Sequence, residues 1–304
     1  MFKLRCIFLL CIFSVALQGV IRRHDCNDHL YKTAAKDENF SCIGLVQSSL
    51  GFVLGTGTLI DNQTVLTVGH SLVNRQRVLF CMFDVSGKWI SAGGTVQVHE
   101  EFSQSQRDLN DEVGSDNEEY SINKDQKLES LHNDIALIHL HDPVYCRVLP
   151  RLSVANPKRM VGVHFISAGF GASGNGKEGP SFFFDYKKRA CANQIIALYQ
   201  HSGFDKLWIS SLFKSPKTEL DGLLCYGDSG APIFLKGSQS LLNEESDRDD
   251  EEDSSFPQKE GPLMIGFNVI LIGNGHYGSK NGILPLAYYK NWIQKNASSV
   301  IFVE

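Results

Sequence analysis

Short runs rich in Val, Ile, Phe and Thr restrict what this chain can fold into more than any other feature. They are Cys42–Gln47, Gly57–Ile60, Thr64–Val68, Arg77–Phe83, Thr95–His99, Ile135–Leu140, Val161–Ala168, Ala190–Ala197, Pro232–Leu235 and Leu263–Ile272. Turn residues such as Asp61-Asn62 and the stretch Gly171–Gly179 separate them, so each reads as a strand. Helical periodicity is scarce. It returns at the end, where Leu286, Tyr289, Trp292 and Ile293 recur at spacings of three and four after Pro285, which predicts a closing helix at about 286–296. Many short strands without alternating helices leave a sandwich or a barrel. The 304 residues suffice for one large all-β domain or two small ones around a sizeable core.

Two segments break this pattern. Residues 100–131 are polar and acidic, and residues 238–260 contain an almost unbroken acidic block from Glu244 to Asp253. Like charges repel, and such segments bury too little apolar surface to order themselves, so both read as solvated loops. A calcium loop would need alternating ligands around a central glycine, which the block lacks. The formal net charge is -5 and no Lys/Arg run forms a phosphate-binding stripe, so no nucleic-acid partner is expected.

At the start, Lys3 and Arg5 precede an apolar run from Cys6 to Leu17, followed by Arg22-Arg23-His24-Asp25. The run is too short for an ordinary membrane span. A secretory signal peptide over 1–19, cleaved after Ala16 or Gly19, fits better than an anchor. The expected mature chain, 20–304, is then secreted, extracellular or periplasmic, and not held to a membrane. It keeps Cys26, Cys42, Cys81, Cys146, Cys191 and Cys225, an even number for an oxidising compartment. No Cys/His cluster has zinc-finger spacing, and no metal or cofactor is expected. Asn39, Asn62 and Asn296 each open an N-x-S/T triplet.

Three strings carry candidate chemistry. In Gly227-Asp228-Ser229-Gly230-Ala231-Pro232, a serine lies between glycines. Small neighbours let a carbonyl approach, and glycine allows the torsions that turn N–H groups toward a developing oxyanion. A serine hydroxyl also needs a base to take its proton. Thr67-Val68-Gly69-His70 ends a strand with a histidine, and Asn133-Asp134-Ile135-Ala136-Leu137-Ile138 sets an acid before an apolar strand. A buried aspartate there orients an imidazole and stabilises its cation. Taken singly, these are a turn, a surface histidine and a turn aspartate. Together they run in the order His, Asp, Ser, which is not the order of subtilisins or α/β-hydrolases.

On these strings the sequence resembles the trypsin-like, chymotrypsin-fold serine peptidase family. TVGH is similar to its TAAH motif, NDIALI to DIAL and GDSGAP to GDSGGP. Gly169-Phe170-Gly171 resembles the Gly-Trp-Gly of its second barrel, and Tyr289–Ile293 its terminal helix. The likeness spans about residues 43–294 of this sequence. It implies an all-β fold of two six-stranded antiparallel β-barrels, at about 40–145 and 155–285, with a C-terminal helix. It also implies a monomer with a polypeptide substrate. By position, His70 is the general base, Asp134 its orienting partner and Ser229 the nucleophile. The N–H groups of Gly227 and Ser229 form the oxyanion hole, and Asp228 is the acid that receives a freed N-terminus. Val20-Ile21 is a candidate for that N-terminus.

The departures bear on specificity and cross-linking. Leu223, six before the nucleophile, falls at the base of the primary pocket with Leu224 beside it; without an acid there, Lys/Arg selectivity is not expected. Asn268 falls in the pocket-wall segment where the glutamyl branch of the family has a histidine. Thr56 and Ser71 replace a pair of cysteines, and Cys225 lacks its usual partner. Cys26 with Cys146 and Cys42 with Cys191 resemble the tethers of relatives. Two other readings compete: a catalytically inactive homologue serving as a binding module, and an α/β-hydrolase esterase. The esterase would need Gly at Ala231 and a histidine after the serine, where only His276 is offered.

Overall fold

The computed structural model describes residues 20–102, 131–181, 185–199, 207–211, 218–237, 261–297 and 299–304. The expected signal segment 1–19, most of the expected loop 100–131 and all of the loop 238–260 lie outside the described residues. The first barrel is built from β2 (Ile43–Gln47), β3 (Val53–Asp61), β4 (Thr64–Thr67), β5 (Arg77–Phe83), β6 (Trp89–Val98) and β7 (Ala136–Leu140). It closes in the order β2-β3-β4-β7-β6-β5, as a six-stranded barrel should. Each strand supplies buried apolar residues, among them Val46, Leu59, Val65, Phe80 and Ile138. Glycine makes the tight curvature possible. A Cβ at Gly44 would lie 2.5 Å from the Phe80 ring, and one at Gly94 would lie 2.5 Å from the Ile138 side chain. Both glycines leave room for a neighbour's core side chain.

The second half is a curled sheet in the order β12-β9-β16-β17-β18-β14-β13. Its strands are β9 (His164–Gly169), β12 (Arg189–Gln194), β13 (Ala197–Tyr199), β14 (Leu207–Ser211), β16 (Pro232–Leu235), β17 (Leu263–Ile272) and β18 (Lys280–Pro285). Two short strands, β8 (Arg151–Ser153) and β19 (Phe302–Val303), join it in parallel. Among the described residues no ladder closes it, so it is a half-barrel where a second closed barrel was expected. Asn193 spans part of the gap, its Nδ2 donating to the carbonyls of Ser211 at 3.2 Å and Gly222 at 2.6 Å. A small third sheet joins β1 (Ile21–Arg22), β10 (Gly174–Asn175), β11 (Gly179–Pro180) and β15 (Gly222–Leu223).

The expected closing helix is divided. Leu286–Tyr289 is a turn of 3-10 helix and Lys290–Asn296 is the α-helix, here α2. A short helix was not expected at Asp28–Ala34 (α1). Its start signal is nonetheless in the sequence: Asn27 caps it by accepting the His29 N–H at 2.9 Å, and Asp28 favours the first turn. Buried Arg189 holds α1 to β12 through paired bonds to Asp28 at 2.7 and 3.0 Å and to Asp185 at 2.9 and 2.8 Å, the bidentate geometry that suits a guanidinium.

The helix also decides where the cysteines lie, and all six are free thiols. Cys26, just before α1, sits beside Tyr31, and Cys191 of β12 borders the same phenol. Cys146 instead shares its surroundings with Cys42. The expected partnerships of Cys26 with Cys146 and Cys42 with Cys191 are therefore exchanged in space, because α1 carries Cys26 onto β12.

Candidate active site

His70 lies in the turn after β4, and Asp134 lies just before β7, the strand that pairs with β4. Strand pairing alone thus brings the two together. Asp134 is fully buried and grips His70 twice: Oδ2 accepts from Nδ1 at 2.7 Å and Oδ1 accepts the His70 backbone N–H at 2.7 Å. This fixes the ring orientation and places its proton on Nδ1, leaving Nε2 as the basic nitrogen. Burial works against the charged imidazole, but the charge of Asp134 and its hydrogen bond outweigh it and raise the His70 pKa. Asn133 takes a left-handed φ of 55° to make the turn, and its amide bonds Glu101 at 2.6 Å.

Ser229 arrives from the other half of the molecule, on the loop between β15 and β16. Gly227 and Gly230 have φ of 86° and 87°, values that favour glycine. The N–H groups of Asp228 and Gly230 are used internally, by Cys225 O at 2.9 Å and Asn268 O at 2.8 Å. Those of Gly227 and Ser229 have no protein partner among the described residues, so both are free to bind an oxyanion.

Thr56 on β3, read from the sequence only as a missing cysteine, joins the two halves. Its N–H donates to Ser229 O at 2.9 Å. Its Oγ1 donates to Gly227 O at 3.1 Å and accepts the Phe170 N–H at 3.3 Å, and its carbonyl accepts from Thr67 Oγ1 at 2.8 Å. A Cβ at Gly55 would lie 2.8 Å from Ser229 O and 3.8 Å from the Oγ of Ser71, the residue after His70. The histidine and serine loops therefore converge on Gly55-Thr56.

Asp228 is buried under the serine loop. Its Oδ1 accepts the Gly171 N–H at 2.7 Å, and its Oδ2 accepts those of Cys225 at 2.9 Å and Val20 at 3.1 Å. Burial raises its pKa against these donors. The carboxylate also explains Gly169 and Gly171, since a Cβ at either would collide with Asp228. Val20 is buried and carries a φ of 40°, a strained value for a β-branched residue.

Leu223 and Leu224 are both buried. Leu223 packs with Ile21, Ala172 and Cys225. Leu224 is held by an amide the sequence did not single out: Asn281 Oδ1 accepts its N–H at 2.9 Å, while Nδ2 donates to its carbonyl at 2.8 Å and reaches Ile270 O at 3.4 Å. Asn268 is buried, and its Nδ2 donates to Asp228 O at 3.1 Å. It therefore steadies the serine loop.

The family profile described as Trypsin matches residues 31–243, well over half of the chain. No curated protein matches the sequence.

Proposed function

The chain belongs to the trypsin family, and from that premise we propose that it is a secreted serine endopeptidase acting through an acyl-enzyme on Ser229. The observation that carries this is the doubly held His70, with Asp134 at 2.7 Å from both Nδ1 and the backbone N–H. In the proposed reaction His70 Nε2 takes the Ser229 proton as Oγ attacks a peptide carbonyl. Asp134 steadies the imidazolium, and the N–H groups of Gly227 and Ser229 hold the oxyanion. The imidazolium then protonates the leaving amine, and water repeats the sequence to release the acid.

The same reading places the mature N-terminus at Val20, after removal of residues 1–19. Cleavage there frees an α-ammonium at the nitrogen that already lies 3.1 Å from Asp228 Oδ2. It also abolishes the φ of 40° at Val20, because an N-terminal residue has no such torsion. Asp228 then gains a counter-charge for its buried carboxylate, and no separate zymogen step is required. N-terminal sequencing of the secreted protein is expected to begin at Val20; a start well past Ile21 overturns it.

An uncharged pocket base at Leu223 supports cleavage after apolar or small residues and not after Lys or Arg. Asn281, drawn across to Leu224, supports a shallow pocket. Labelling with a fluorophosphonate tests the activity. Modification of Ser229 in the wild type, lost in Ser229→Ala together with peptide cleavage, is expected. An unreactive wild type would favour the non-catalytic binding homologue.

A further inference from the structure

Cys42 and Cys146 stand far apart in sequence but lie on two segments that are tied together beside one lysine. Cys42 is buried just before β2, and half-buried Cys146 lies in the crossover from β7 to β8. Ser41 ties these two segments: its Oγ accepts the Val148 N–H at 3.1 Å and lies 3.5 Å from Val148 O. The Cys146 thiol points at that same carbonyl at 3.3 Å, and the Cys42 thiol points at Asn39 O at 3.7 Å. From the start of β12, Lys188 reaches in and donates to Phe40 O at 2.5 Å. The Phe170 ring lies 6.0 Å from its ammonium. No carboxylate forms an ion pair with Lys188 among the described residues.

The electrostatics agree with this geometry. Burial pushes both thiols up, Cys146 to about 11, and each is drawn back by the charge of Lys188. Cys146 in turn raises Cys42, so the two sulfurs are close enough to repel as thiolates. Burial lowers Lys188 to about 8, against the pull of both sulfurs. A half-buried ammonium without a carboxylate partner carries a cost, and a thiolate formed beside it is its natural counter-charge. Two isolated structural thiols would give no reason for that cation.

We propose that Cys42 and Cys146 form a disulfide, with Cys146 as the entry thiol and Lys188 stabilising the reacting thiolates. A small disulfide oxidant such as oxidised glutathione supplies the oxidation. The Cys146 thiolate attacks one of its sulfurs, giving a mixed disulfide and one glutathione thiolate. The Cys42 thiolate then attacks Cys146 Sγ and expels the second glutathione. Two protein thiols are oxidised, one glutathione disulfide is reduced, and the two protons end on the glutathione thiols. The bridge would pin the entry to barrel one against the crossover into the half-barrel and close a loop of about 100 residues, and a cross-link constrains the unfolded chain more the longer the loop it closes.

The test uses the full chain, reduced and then incubated in a glutathione redox buffer at about pH 8. Free thiols are alkylated under denaturing conditions and the digest is mapped without reduction. The expected product is a single cross-linked species joining the Cys42 and Cys146 peptides, two hydrogens lighter than the separate thiol peptides. Cys42→Ser should trap the mixed disulfide, leaving Cys146 joined to glutathione and no protein cross-link. Lys188→Met should slow bridge formation roughly tenfold while Lys188→Arg keeps it. Recovery of both residues as alkylated thiols, or of either joined to another cysteine, overturns the proposal. Closure at the wild-type rate in Lys188→Met overturns the part assigned to the lysine. The wild-type map requires no variant to fold.

Discussion

Replacing Thr56 by valine removes a hydroxyl and almost no volume, so it isolates the clasp between the two halves of the site. In the wild type, Oγ1 satisfies Gly227 O at 3.1 Å and the Phe170 N–H at 3.3 Å. Both partners lose their bond in Thr56→Val, and the Phe170 N–H is buried, out of reach of replacement water. An unsatisfied buried group costs roughly 1–3 kcal/mol, so the pair should cost about 2–4 kcal/mol of folding stability. With a urea m-value near the top of the usual range, the unfolding midpoint should fall by roughly 1 M. On the proposed function catalysis is also touched, because Gly227 carries one of the two N–H groups without a protein partner among the described residues. Complete loss of such a donor costs about 10²–10³ in rate. A donor that is loosened and not removed should cost roughly tenfold. The assay is the second-order rate of fluorophosphonate labelling at Ser229, which needs no knowledge of the natural substrate. Thr56→Ser retains the hydroxyl and should recover most of both losses. A Thr56→Val protein that labels within about twofold of wild type and keeps its urea midpoint would refute the clasp.

The remaining expectations concern the base, the serine loop and the pocket. Asp134 holds the His70 pKa above its ordinary value, so labelling should climb with pH through a midpoint higher than that of a free imidazole, and Asp134→Asn should move the midpoint down and cut the rate by about 10⁴. The raised pKa favours the folded state below the unfolded imidazole pKa, and this contribution disappears as pH rises through the folded one. Urea titrations should therefore show Asp134→Asn losing more stability at low pH than at high pH; an equal loss counts against the ion pair. Gly230→Ala would drive a Cβ into Thr56 O and Thr67 Oγ1 at a φ of 87°, and should abolish labelling; a normally labelling variant contradicts the packing. Asn281→Gly releases Leu224 from the bonds of 2.9 and 2.8 Å and should broaden a peptide-library profile toward larger apolar residues before the cleaved bond. An unchanged profile removes Asn281 from the specificity argument.

The three candidate strings stood out in the sequence because each lies at a strand boundary, where a short apolar run meets a polar residue and needs no distant partner to be noticed. The β-rich architecture was legible for the same local reason. β6 was read only as Thr95–His99, because Ala92-Gly93-Gly94 conceals a strand that begins at Trp89; Gly94 there leaves room for the close approach of Ile138. Thr56 gave no signal, since its hydroxyl meets a carbonyl 171 residues away. Asn281 reads as an ordinary strand residue until the fold brings Leu224 opposite it. The cysteine neighbours depended on α1, whose seven residues are too few to show a periodic apolar face.

The Thr56 clasp also bears on when a chain of this kind can first become reactive. Its partners, Gly227, Ser229 and Phe170, all belong to the half that leaves the ribosome last. In the order of synthesis all six strands of barrel one, with His70 and Asp134, precede the serine loop. Even a fully synthesised chain lacks the loop's support until the half-barrel docks on β3. On the proposed function, the order of assembly would act as a timer on hydrolysis, delaying reactivity until both halves have been made and joined.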